Sequence, residues 1–527
     1  MSDSATTPAS RRVTLSVPSR PEFLGLVHDT ARGGAALAGF RDDARKRVAV
    51  VVQQLAAILV LEATHDVLTV DLTCEVVPGG LTATLHDDGP PFDPSHAGDA
   101  DAFVRGLLKE GSADWVEFRN EGRGGKTVRM MFHHRTAAHE EEADLPEGDD
   151  DALVIGGRGA WELRGGEIEP LWELDPEDAM EAPSAAAGDA AGDAVTYGLL
   201  RREQAGSVSE CIFDAYRLTY LHEDMYHPLR IAELNASGAM ISVVATAPDG
   251  TVVGHFALSF PDEARDVPEL GIAATRRAWR GQHVARRLAD LMMAEAASRG
   301  LYGVFADAIT VHPYTQHLNV QLGFGTCGLR LATIPPDREF RGMDAQSRHR
   351  QSSITMFRYF GTPSTVPLDV PERHRAMIAR LYEWIGAPGR LDGSPQGVLD
   401  AARDDRAETS ITVRLDPATS IATLSVTGFG GDLHDRLRDE LRRLRESELR
   451  VIVASIDMTR PGAAAAATQL EELGFFFTGV LPAGPQTDLV LFQYFNGVLV
   501  DYDLMKIDSD ATRELVAYVR ALDPDAD

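Results

Sequence analysis

Apolar residues fall into three textures along this chain, and each texture predicts its own kind of element. From Val48 to Ala63 they run nearly unbroken apart from Gln53 and Gln54. That run is too short to cross a bilayer and reads as a buried helix. Strict alternation over Leu68–Val76 and Leu81–His86, with Pro78-Gly79-Gly80 between, predicts an antiparallel strand pair. A second pair, Trp115–Phe118 and Thr127–Phe132, is joined through the Gly-rich turn Asn120–Gly125.

Further along, a helix is predicted over Ser207–Thr219. Strands follow at Met240–Thr246 and Val252–Ser259 around the Pro248-Asp249-Gly250 turn, then a buried strand at Glu269–Thr275. Arg276 to Ala285 opens a helix that keeps Leu288, Leu291, Met292 and Ala296 on one face. A strand at Val304–Ile309 precedes Leu322-Gly323-Phe324 and Gly328. The same order returns as a strand at Val451–Ile456, then Leu473-Gly474-Phe475 and Gly479. This echo predicts two copies of one strand–helix–strand unit. In the second copy, strands at Ile411–Leu415 and Ile421–Phe429 lead to a helix with Leu433, Leu437, Leu441 and Leu444 on one stripe. The Ala-rich helix 463–473 and the strand Leu489–Phe495 follow.

Composition adds boundaries and exclusions. Glu140–Glu142 and Asp149–Asp151 open a segment that ends in the Ala/Gly/Asp/Pro tract 181–194, a composition that predicts a linker. A second boundary follows Phe360, where Gly361, Pro363 and Pro367 cluster. The 527 residues divide into four parts: a first domain 1–137, an acidic segment and linker 138–194, a central domain 195–360 and a last domain 361–527. A net charge of −29 argues against nucleic-acid binding. Cys74, Cys211 and Cys327 form no Cys-x-x-Cys pair, so neither a zinc site nor a disulfide framework is expected. The opening MSDSATTPASRR lacks the apolar core of a secretory signal, and the expectation is a cytoplasmic protein that does not engage membranes.

The chemistry concentrates in the central domain. A strand that feeds a short Gly-containing loop and then a helix presents unpaired amides and a positive dipole end, a ready anion site to which Arg280 adds charge. Arg280-Gly281-Gln282-His283-Val284-Ala285 resembles the pyrophosphate loop Arg/Gln-x-x-Gly-x-Gly/Ala of the GNAT superfamily of acyl-CoA-dependent N-acyltransferases. Ala306–Ile309, His312–Gln316 and Gln321–Phe324 resemble that family's later strand and helix. His283 stands where the family usually has Gly, a departure that strains the backbone if positive φ is required.

The resemblance implies acetyl-CoA as acyl donor. Residues 280–285 would take the diphosphate, and the backbone of Ala273, Ala274 and Thr275 the pantetheine arm. Glu269 is the implied general base. Asn319 occupies the family's usual acid position, which is normally Tyr, and this leaves Tyr314 or His312 as acid; Thr315 and Gln316 would orient CoA or the helix. No metal is implied.

Asp87-Asp88-Gly89-Pro90-Pro91-Phe92-Asp93-Pro94, after the helix and strands described, resembles the adenine-binding motif of histidine-kinase-type ATPases, in the branch of anti-sigma-factor serine kinases. Pro91 replaces the second Gly. The helix offers only Gln53 and Gln54 near the place of the magnesium-holding Glu/Asn pair, and 98–109 lacks a Gly-rich phosphate loop. The resemblance therefore implies this fold with weakened or lost ATP binding and no kinase activity. In the last domain Phe429-Gly430-Gly431-Asp432 stands where a CoA loop would be, and Asp432 suits a helix N-cap while repelling a diphosphate.

The expected fold class is therefore α/β (α+β) and multidomain: an ATPase-like α/β sandwich, then tandem GNAT-like mixed-sheet domains, the second degenerate. The expected function is acetyl transfer to a small-molecule or protein amine. A protein partner would dock through the first domain. The rival is a non-catalytic CoA- or nucleotide-sensing regulator of anti-sigma type.

Overall fold

The computed structural model describes residues 11–62, 69–91, 113–134, 152–156, 161–163, 195–260, 266–336, 349–363, 366–392, 408–417, 419–447 and 449–526. The expected lid at 98–109 and the linker tract 181–194 lie outside them. The architecture is mixed α/β and is built on two sheets.

The first sheet contains β1 (Arg12–Pro18), β2 (Thr69–Val77), β3 (Gly80–Asp87), β4 (Trp115–Asn120), β5 (Lys126–His133), β6 (Ala152–Gly156) and β7 (Trp161–Leu163). Its order is β1-β2-β3-β5-β4-β6-β7 and every pairing is antiparallel. Helices α1 (Leu24–Leu37) and α2 (Asp42–Glu62) pack against it through Val27, Ala31, Ala35, Val48, Val52 and Leu55. The apolar run read as a buried helix is the C-terminal part of α2.

The second sheet has 12 strands. In chain order its elements are β8 (Thr196–Leu199), α3 (Ala205–Tyr216), α4 (Pro228–Ser237), β9 (Met240–Thr246), β10 (Val252–Ser259), β11 (Glu269–Thr275), α5 (Val284–Ser298), β12 (Gly303–Ile309), α6 (Tyr314–Gln321), β13 (Gly325–Ile334) and β14 (Gln351–Tyr359). There follow α7 (Arg375–Trp384), β15 (Ser410–Asp416), β16 (Ile421–Gly428), α8 (Leu433–Glu446), β17 (Val451–Asp457), α9 (Ala463–Glu472), β18 (Phe476–Gly484), β19 (Thr487–Phe495) and α10 (Asp510–Arg520).

Strand order explains the echo in the sequence. From one edge the sheet reads β8-β9-β10-β11-β12-β14-β13, then β18-β19-β17-β16-β15. Each half holds a parallel pair (β11 with β12, β16 with β17) whose second strand is followed, antiparallel, by β14 or β19. The halves meet at equivalent strands, and the residues paired there, Gly328 and Gly479, are the two echoed glycines. A local two-fold thus runs through this contact, and one hydrophobic core continues across both halves. Asp432 does occupy the N-cap of α8, but its carboxylate accepts from the Thr409 hydroxyl rather than from a helix amide, so the capping expectation is corrected.

Close approach at the junction demands glycine on one side only. A Cβ on Gly479 (φ 152°) would lie 2.3 Å from Gly328 Cα and 2.5 Å from the Cys327 carbonyl oxygen, whereas one on Gly328 would meet nothing nearer than 3.6 Å. Gly479→Ala is therefore expected to cost about 2 kcal/mol or more in urea unfolding, and Gly328→Ala under about 1 kcal/mol. Equal losses would contradict this junction.

Candidate active site

The site begins with an irregularity in β11. His255 of β10 pairs with Ala274 and Ala257 with Gly271, so Ile272 and Ala273 bulge opposite a single residue. Ile272 takes φ 50°, a costly left-handed conformation for a β-branched side chain. A buried relay holds it there. Asn235 donates to the Ser242 hydroxyl (3.2 Å), which lies 3.0 Å from His255 Nε2, and His255 Nδ1 donates to the Ile272 carbonyl at 2.7 Å. Burial pushes the His255 pKa down to about 4, which keeps the ring neutral and able to accept on Nε2.

Next to the bulge, β11 and β12 separate. The register pairs only Glu269 with Phe305, and beyond that point the two strands diverge around a cavity of about 620 Å³. Leu270–Thr275 line one side of it and Ala306, Asp307 and Ile309 the other. The edge of β11 that faces the gap is consequently unpaired with β12, an opening for an extended ligand to add as a strand.

One end of the cavity reaches the start of α5. Arg280 and Ala285 line it, while Gly281 (φ 78°) and His283 (φ 61°) turn the loop, with His283 as N-cap residue. His283 therefore adopts the left-handed conformation that glycine would take at lower cost. A Cβ on Gly281 would meet nothing within 4 Å, so the turn is open to a ligand. Gly254 completes the support, because a Cβ there would strike Val284 Cγ1 at 2.6 Å, and its absence lets α5 sit close on the sheet. Gln282 turns its amide to the Ala278 carbonyl (3.1 Å), and Val284 is buried in the core.

At the other end Glu269, Asp307 and Arg330 face one another. Asp307 accepts from Arg330 Nη1 (2.9 Å) and from the Thr355 hydroxyl (2.7 Å). No hydrogen-bond donor among the described residues holds the Glu269 side chain. Burial, reinforced by the Asp307 charge and only partly offset by Arg330, raises its pKa to about 7. A carboxyl group poised in this way can give or take a proton near neutrality.

The remaining expected residues lie at the rim. His312 and Tyr314 rings sit 5.2 Å apart; Tyr314 is 73% exposed, and burial lowers the His312 pKa. Thr315 and Asn319 line the cavity beside them. Two expectations need correction. The Ala273 carbonyl already accepts from the Tyr216 hydroxyl at 2.6 Å, so that residue does not offer an open acceptor to the pantetheine arm. Gln316 is buried and outside the lining, and it orients no cofactor. Its amide donates to the carbonyls of Ile309, His312 and Lys506 and accepts from Asp508 N, fastening the C-terminal segment. Asp307 and Arg330 were invisible to sequence reasoning, since only the β12–β14–β13 pairing brings them to Glu269. Among the described residues no cluster could hold a metal ion, and no helix is long and apolar enough to cross a membrane.

The two buried titrations oppose each other in stability. His255, depressed in the folded state, contributes stability that is present above its ordinary 6.5 and lost as pH falls toward about 4. Glu269, raised in the folded state, contributes stability that is present below its ordinary 4.5 and lost as pH rises toward about 7. Glu269→Gln leaves the first slope alone, so urea midpoints of the variant should climb with pH between about 4 and about 6.5 more steeply than those of the wild type. Parallel curves would contradict the shift at Glu269.

Residues 207–324 match the model of the acetyltransferase (GNAT) family. No curated protein matches the chain. Among solved structures, the chain is similar to a GNAT-superfamily phosphinothricin acetyltransferase from Sinorhizobium meliloti in complex with AcCoA, with 22% identity, a TM-score of 0.26, and 32% of this chain and 89% of that one covered. It is also similar to the ribosomal-protein-S18-alanine N-acetyltransferase from Escherichia coli, at 15% identity and a TM-score of 0.25, over 32% and 97% of the two chains. A GNAT-family acetyltransferase from Staphylococcus aureus Mu50 gives 14% and 0.25, over 32% and 100%. On the family match, residues 207–324 form a GNAT acetyltransferase domain, and acetyl-CoA is the acyl donor used by that family.

Proposed function

We propose that the central domain, residues 195–360, is an acyl-CoA-dependent N-acyltransferase that moves an acetyl group from acetyl-CoA to an amine. The observation that carries this reading is the slot between β11 and β12, which leads from the start of α5 to the unheld carboxyl of Glu269. The residues present suit the donor: an open turn at Gly281, a helix N-terminus with Arg280 beside it, and a strand edge between that turn and Glu269 that β12 leaves unpaired. Acetyl-CoA supplies the activated thioester carbonyl.

In this reading, the amides of 281–285 and the Arg280 guanidinium hold the diphosphate. The edge of β11 that β12 leaves unpaired aligns the arm, with the Ala273 carbonyl already taken by the Tyr216 hydroxyl and that of Thr275 by Arg280. Glu269 takes the proton of the attacking amine, directly or through a water, and the Asp307–Arg330 pair fixes the field around it. Tyr314 or His312, at the rim, returns a proton to the departing thiolate.

The first domain, 1–137, is assigned to regulation as an ATPase-like fold that does not turn over ATP. Asp87 is buried, and one oxygen of its carboxylate accepts from Gly89 N at 2.6 Å within its own turn. Arg123 Nε donates to the Leu218 carbonyl (3.4 Å) and Arg123 N to Glu223 (3.5 Å), on either side of Tyr220–His222 in the cavity wall. A protein bound to the first domain could thus be felt at the cavity. The rival, a sensor without turnover, predicts acetyl-CoA binding with no thiol release from any amine.

Arg280→Glu should weaken acetyl-CoA binding at least about tenfold by calorimetry with an unchanged circular dichroism spectrum, since it reverses a charge at the diphosphate. Unchanged affinity would remove the loop from the site. The kcat/KM for the amine should rise with pH through about 7 as Glu269 ionises. Glu269→Gln should lower turnover by about 10²- to 10⁴-fold and remove that limb, with acetyl-CoA affinity little changed; undiminished turnover would reject Glu269 as the base.

A further inference from the structure

The wall of the cavity opposite the cofactor turn does not belong to the central domain alone. Asp416 at the end of β15, with Thr419 and Ile421 where β16 begins, lines the same cavity as Glu269 and Asp307. A specific clamp puts this turn there. Three residues of β13, Leu331–Thr333, bulge opposite Ser352, with Ala332 at φ 53°. The Ser352 hydroxyl accepts from Ala332 N (3.0 Å). The Arg350 guanidinium donates to the carbonyls of Ala332 (2.5 Å), Thr333 (3.3 Å) and, across the lobe boundary, Thr419 (2.7 Å). Thr419 in turn donates its hydroxyl to Asp416 at 2.6 Å, which fixes the carboxylate at the mouth.

We propose that the second lobe is part of the acceptor site, and that Asp416 receives a second cationic group of the acceptor while Glu269 and Asp307 surround the amine that is acylated. This rests on the transferase reading above and names its substrate class: an amine carrying a further positive charge. The charge balance of the wall supports that class. Among the described lining residues on the acceptor side, Glu269, Asp307 and Asp416 are acidic and Arg330, which Asp307 already pairs, is basic; the Arg350 guanidinium lies outside the lining, on the Thr419 carbonyl. The aromatic rings of Tyr216 and Tyr220 (centroids 4.7 Å apart) and of His222 complete a wall suited to a cation with an apolar spacer. Neither half alone encloses this volume, which gives the second lobe a function without a cofactor loop of its own.

The test uses the full chain with acetyl-CoA, following thiol release with α,ω-diaminoalkanes of increasing length and with n-alkylamines of matched length. The wild type should prefer a diamine, and one length above the others. In Asp416→Asn, which keeps an acceptor for Thr419, the diamine-to-monoamine ratio of kcat/KM should fall about tenfold, carried by KM and not by kcat. Asp416→Lys should lower the ratio further. A ratio unchanged in both variants, with thiol still released, would overturn this inference and leave the transferase reading standing. No thiol release from any amine with the wild type would overturn both.

Discussion

Everything at this site depends on one separation. Two parallel strands pair at Glu269 and Phe305 and then part, leaving a slot inside the 12-stranded sheet. Parting strands costs backbone hydrogen bonds, and a gap of this kind persists only where neighbouring structure enforces it. Here the enforcement is the bulge at Ile272–Ala273. Its left-handed residue is held by a neutral imidazole from the next strand, and that imidazole is oriented by a serine and an asparagine behind it. The bulge lies in the stretch of β11 that lines the gap.

The slot also explains why a single carboxyl is singled out. Glu269 stands at the last paired position, so its backbone is fixed by the sheet while its side chain enters the opening. Burial and Asp307 push it toward protonation, and Arg330 limits the push. Asp307, by contrast, has hydrogen-bond donors. It accepts from Arg330 and Thr355. Two carboxylates a few residues from the same cleft thus take different roles because one has donors and the other does not.

Much of this was legible in the residues. The strands and helix around 269–298, the turn at 280–283 and the repeated Leu-Gly-Phe units follow from periodicity and from the position of glycine, while strain at His283 is only a conditional expectation from the family resemblance. The meaning of the repeat was not legible. That Gly328 pairs with Gly479, and that the two units share one sheet, depends on contacts 151 positions apart. Nor could spacing show Arg330 and Asp307 beside Glu269, or Gln316 fastened to Lys506 and Asp508. Helices α1, α4, α7 and α10 escaped the sequence reading, which followed only the longer and cleaner apolar runs. Short amphipathic helices are settled by what they pack against, and their own propensity leaves them ambiguous.

The central claim is that the opening between β11 and β12 receives the cofactor. It is tested most directly by a crystal structure with acetyl-CoA bound. The account predicts the diphosphate against residues 280–285, the arm along the edge of β11, and the acyl carbon beside Glu269. A cofactor bound elsewhere, or the two strands paired along their full length with the turn closed by the His283 ring, would contradict it.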